Sequence, residues 1–125
     1  MGNWGHFEFN VPYNGESIES VNGIELSKQY LEFMREHNGG EGDIGETWLV
    51  LFPLEELEEI NYDYEIEKYL PGHIIIGSDG GGELYGIDEN GRFFNVPVMI
   101  EAECVTYFGI NIEILPDEIN AFWSE

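Results

Sequence analysis

An α+β fold, with a mainly antiparallel twisted sheet and flanking helices, follows from three features of the chain. Helical patterns crowd the first half, strand patterns joined by glycine-rich turns come next, and a helix closes the chain. Residues 47–52 and 73–78 are continuous apolar runs of strand length, as strands buried on both faces are. Apolar residues make up 42% of the 125 residues and aromatics 14%, enough to bury a core despite a net charge of −22. A chain of this length fits one domain over residues 1–125.

Residues 1–14 alternate only weakly, which fits an edge strand or an ordered arm, and end in the turn signal Pro12-Tyr13-Asn14-Gly15. Residues 16–22 form a short helical candidate: Ile18 and Val21 lie three apart and Gly23 follows as a C-cap. The next helix is better marked. Ser27 is its N-cap, Leu26, Tyr30, Phe33 and Met34 make one apolar stripe, and His37-Asn38-Gly39-Gly40 ends it, with glycine for a left-handed cap residue. His37 at that end reads as a cap or dipole partner.

Residues 41–46 read as an acidic glycine-rich loop before the strand at 47–52, in which Trp48 is expected in the core. Pro53 suits the first position of a helix, where its missing amide costs nothing. In that helix Leu54, Leu57 and Ile60 form a narrow stripe, so Glu55, Glu56, Glu58 and Glu59 must project into water. Residues 61–70 interleave Asp63, Glu65 and Glu67 with Tyr62, Tyr64, Ile66 and Tyr69, answered only by Lys68. Such a mixture suits either a protein interface or a solvated element covering one sheet face.

The organising stretch is 71–88. A Pro-Gly turn opens a β-branched strand at 73–78, Gly77 marks a bulge or a close backbone approach, and residues 79–82 turn the chain into a second strand at 83–88. There Leu84 and Tyr85 take opposite faces. Asn90-Gly91 signals the next hairpin, residues 92–98 the returning strand, with Pro97 placing it toward an edge, and 105–108 a short strand before Gly109. Pro116 opens a last helix with Leu115, Ile119, Phe122 and Trp123 on one face.

Charge bounds the partners. With 26 acidic residues against four basic ones, nucleic acid and anionic membranes are excluded; a basic protein partner fits, as does a merely solvated acidic surface. Cys104 is the lone cysteine, so an internal disulfide and a cysteine-based metal site are ruled out, and it reads as a small core residue. No secretory signal opens the sequence and no apolar run reaches membrane-spanning length, which places the protein in the cytoplasm.

No nucleophile-elbow motif or zinc-spaced histidine pair is present, and no helix follows the glycine cluster to hold phosphate, so no catalytic residue, metal or cofactor is expected. The most enzyme-like set is Asp79, Glu83 and Asp88 around the glycine corner, where oxygen ligands could hold a divalent metal. Asp88 and Asn90 superficially match a calcium loop, but Gly91 comes too early and the closing Glu is missing.

Three segments carry a family resemblance: residues 75–85 (Ile-Ile-Gly-Ser-Asp-Gly-Gly-Gly-Glu-Leu-Tyr), Tyr30-Leu31-Glu32-Phe33-Met34 with His37-Asn38-Gly39-Gly40, and 51–57 (Leu-Phe-Pro-Leu-Glu-Glu-Leu). In order and spacing they resemble the SMI1/KNR4 family of the SUKH superfamily over residues 17–88. Leu26-Ser27 departs from the Leu-Pro usual there, a change that serine absorbs as N-cap. The resemblance implies the same α+β fold, with Asn38, Gly39, Gly40, Gly77, Asp79, Gly80 and Gly81 as structural motif residues.

It also implies a non-enzymatic binder. Bacterial members are mostly immunity proteins that neutralise a cognate polymorphic or contact-dependent toxin, often a nuclease or deaminase; fungal members are regulatory scaffolds. On this reading the partner is a basic toxin, and local composition nominates Glu55, Glu59, Tyr62, Asp63 and Glu65 as its contacts.

Overall fold

The structure, a computed structural model, describes residues 2–124. In chain order the strands are β1 (Phe7–Phe9), β2 (Ser20–Val21), β3 (Ile24–Glu25), β4 (Gly40–Asp43), β5 (Trp48–Leu51), β6 (His73–Ser78), β7 (Glu83–Asp88), β8 (Phe93–Pro97) and β9 (Thr106–Tyr107). The helices are α1 (Lys28–Glu36), α2 (Leu57–Asp63), α3 (Ile66–Tyr69) and α4 (Leu115–Trp123). Seven strands form one antiparallel sheet in the order β1-β4-β5-β6-β7-β8-β9, and β2 pairs with β3 in a separate hairpin.

Strand parity divides the core into two layers. Ile74, Ile76, Tyr85, Ile87 and Phe93 face α1, α4 and the N-terminal 3-10 turn, where Tyr30, Met34, Leu115 and Trp4 are buried. Ile75, Leu84, Phe94 and Val96 face the other way, beneath Ile66 of α3, Leu70 just past its end, and Ile100. The two faces of the Leu84-Tyr85 pair are those its alternation predicts. A bulge between Ile75 and Gly77 puts two residues of β6 opposite one of β7. At Gly77 a Cβ would collide with the carbonyl of Val50, so β5 can close on β6 only where the side chain is missing.

That closure is brief. β5 pairs with β6 at Val50–Ser78 and Leu51–Gly77, adds one bond from the Phe52 amide to Ile76, and then Pro53 turns the chain away. The next part of β6 lacks a strand neighbour on this side, and α2 fills the notch. The Asn61 side chain accepts from the Ile75 amide at 2.6 Å and donates to the Ile75 carbonyl at 2.9 Å, with a further bond to the Leu57 carbonyl at 2.8 Å. Asn61 is fully buried and stands in for a strand residue. The far edge is held differently: His73 bridges the Pro71 carbonyl and the Tyr107 hydroxyl, and the Arg92 guanidinium lies over the Tyr107 ring at 3.9 Å.

Ser27 caps α1, accepting from the Tyr30 amide, and α1 buries Tyr30, Phe33 and Met34 as its stripe requires. His37 ends α1 and packs on Phe9. Four expectations are corrected. Residues 16–22 are not helical: Asn22 and Gly23, both with positive φ, make the two-residue turn of the β2–β3 hairpin, whose twist matches the strands it joins. Residues 41–43 of the supposed acidic loop at 41–46 belong to β4, a ladder strand between β1 and β5. Trp48 is 42% exposed, because β5 is covered on one face only. Pro53 sits one position before the 3-10 turn Leu54–Glu56 that leads into α2, rather than inside a helix.

If Asn61 completes the sheet, Asn61→Ala leaves the Ile75 amide and carbonyl buried without partners and should cost about 3 kcal/mol. Urea unfolding measures it; a loss under about 1 kcal/mol would show that β6 does not depend on this side chain.

Candidate functional site

The glycine corner is a structural turn. Asp79 accepts through Oδ1 from the amides of Gly81 (2.8 Å) and Glu83 (3.2 Å), the Ser78 hydroxyl accepts from the Gly80 amide (3.1 Å), and Gly80 adopts φ +81. Gly81 has room for a side chain no tighter than 3.4 Å from Asp79. Asp88 performs the same service in the following hairpin, accepting from the amides of Asn90 and Arg92 and pairing with the Arg92 guanidinium at 2.9 Å. Glu83 accepts from Asn95 at 3.0 Å. Asp79, Glu83 and Asp88 are thus each occupied by their own turn or ladder. Among the described residues no group of three or more His, Cys, Asp or Glu is placed to hold a metal ion.

Asn38, Gly39 and Gly40 join the sheet to α2. The buried Asn38 side chain accepts from the Leu54 amide at 2.9 Å, satisfying the first donor of the turn before α2, and donates to Glu55 at 2.7 Å. A Cβ at Gly39 would meet the Leu51 carbonyl, and one at Gly40 the Glu8 carbonyl. The motif therefore brings β4 close to both neighbours and aims α2.

Of the five nominated contact residues, the structure gathers three. Tyr62, Asp63 and Glu65 line an open depression of about 430 Å³ with Glu67, Lys68 and Asn22 of the β2–β3 turn. Tyr62 is 78% exposed, and Glu65 has a left-handed backbone (φ 54) that breaks α2 from α3 and turns the chain at the rim. Glu55 and Glu59 are exposed but lie outside that depression, and Glu55 is engaged by Asn38. Sequence reasoning missed a neighbouring apolar cleft of about 420 Å³, formed by Tyr64, Tyr69, Val98, Met99, Ile100 and Glu101. Met99, 79% exposed, gave no periodic signal that could mark it.

Cys104 is exposed, not a core residue, because the segment 98–105 runs along the surface. Partial desolvation and the carboxylates of Glu101 and Glu103 raise its thiol pKa, which keeps it protonated and a poor nucleophile. The Tyr85 phenol is pushed up to about 12, chiefly by burial; the Trp123 indole, donating to it at 2.8 Å, opposes this, while Asp79 and Glu83 add to it. Tyr30, wholly buried, is also raised by burial.

The arrangement is an acidic, aromatic-studded surface on an α+β scaffold whose motif residues serve turns and strand contacts. The sequence model of the SMI1 / KNR4 family (SUKH-1) matches residues 16–123, well past the segments that carry the resemblance. The chain belongs to this family, which includes immunity proteins. A search among curated proteins gives no match. Among the described residues, no helix is long and apolar enough to cross a membrane.

Ionising Tyr85 costs more in the folded than in the unfolded chain, so its contribution to stability is complete below pH 10 and is lost as pH rises through about 12. Thermal melting across that window should show a steep fall that Tyr85→Phe makes shallower, at a cost of about 1 kcal/mol near neutrality from the lost indole acceptor. An unchanged slope in the variant would contradict the assignment.

Proposed function

We propose that this protein is an immunity protein that neutralises a cognate bacterial polymorphic or contact-dependent toxin by occlusion, acting in the cytoplasm as one domain over residues 1–125. The observation that carries the reading is the depression that Tyr62 lines together with Asp63 and Glu65 on a chain of net charge −22. A nuclease or deaminase grips nucleic acid with lysines and arginines; carboxylates presented on a rigid surface compete for those same groups. Tyrosine adds contact area at low entropic cost, and its hydroxyl bonds across a wet rim. The mechanism needs no metal or cofactor, and a nucleic-acid or membrane partner would be repelled.

The test uses the protein as bait in a lysate containing the toxin, with stepwise salt elution and mass spectrometry. One basic toxin domain, released late, is expected. Asp63→Lys with Glu65→Lys should weaken its binding about tenfold or more, about 1.4 kcal/mol. Several unrelated partners, or none while the toxin is expressed, would overturn immunity in favour of a regulatory scaffold.

A further inference from the structure

The sheet is covered on both faces only over its β6–β8 half. On the face that α3 and Ile100 cover there, the β1-β4-β5 half carries no layer among the described residues. Glu8, Glu41 and Asp43 are exposed on it, Trp48 is partly exposed and Val50 half-buried, whereas the alternating residues Phe7, Leu49 and Leu51 are buried beneath the opposite face. The ladder sets Glu8 directly opposite Glu41, Glu41 opposite Val50, and Asp43 opposite Trp48.

Like charges facing each other across a ladder destabilise a sheet. Protection of an exposed edge accounts for Glu8 on β1, but Glu41 is paired on both sides, with Glu8 of β1 and Val50 of β5, so it guards no edge. Glu8 and Glu41 also converge with Glu56, at the entry to α2, on a concave corner of about 410 Å³ floored by Val50 and Phe52; no Lys or Arg lines it. A floor that is apolar at its centre and negative around it excludes another copy of this acidic chain, nucleic acid and anionic lipid, and fits a cationic protein surface.

We propose that this uncovered half of the sheet is the main docking floor for a basic protein surface, with Trp48 and Val50 as the apolar contacts and Glu8, Glu41 and Asp43 as the charge ring. The inference rests on the reading above in taking the partner to be a basic protein, and it moves the centre of contact from α2 and α3 to the sheet.

A deca-lysine peptide, titrated at low salt into the isotope-labelled protein and followed by NMR, tests it. Shifts should concentrate on β1, β4, β5 and the Trp48 indole. Glu8→Gln with Glu41→Gln should weaken the peptide about tenfold, and Asp63→Asn with Glu65→Gln, which removes the same charge, about twofold or less. The first pair should also melt no lower than the parent, since it relieves a repulsion. Equal losses in both pairs, a larger loss from the helix pair, shifts spread over every acidic surface, or a lower melting point for the sheet pair would each overturn the proposal. Because the probe is a peptide and not the toxin, a floor-centred result stands even if no toxin is found, and failure here leaves the immunity reading to its own test.

Discussion

The Asn61 side chain, bonded to both polar groups of Ile75, is the interaction on which the rest of the architecture depends. β5 can pair with β6 for only two residues before Pro53 leads it away. A notch in the middle of a sheet would leave buried donors and acceptors without partners, at about 1–3 kcal/mol for each group. One amide, supplied by a helix instead of a strand, closes it. The consequence is geometric: α2 lies beside the sheet, Leu54 and Leu57 reach one core layer, Ile66 and Leu70 reach the other, and the acidic-aromatic surface between them is fixed to the central strand.

The family motif has its physical account in the same region. Asn38 caps the turn into α2 with its side chain, while Gly39 and Gly40 allow β4 to approach its neighbours and Gly77 lets β5 reach β6. Asp79 and Gly80 close the β6–β7 turn. These residues hold the scaffold in place through turns and close strand contacts. Glu55 belongs to both groups, since its carboxylate is held by Asn38 at the edge of the exposed helix face.

What could be read in advance follows from how local each signal is. The β6–β7 hairpin was legible because β-branched residues and glycines mark strand and turn within a few positions, and α1 because cap and stripe agree. The Asn22-Gly23 pair was misread as a helix end since left-handed residues serve both a C-cap and a hairpin, and two apolar residues three apart could not decide. β4 has almost no strand propensity in Gly-Glu-Gly-Asp; its neighbours make it a strand. An apolar run does not reveal which face is covered, hence Trp48. Tyr62, Asp63 and Glu65 were legible as a composition, but the open sheet face and the role of Asn61 are long-range facts that no local pattern encodes.

The account's central claim, that a basic protein partner is received on the side of the molecule formed by α2, α3 and the open half of the sheet, is tested most directly by hydrogen–deuterium exchange of the protein alone and in complex with its co-purified partner. The account predicts added protection within residues 40–50 and 54–69. Protection confined to α1 and α4, on the opposite side of the sheet, would contradict it.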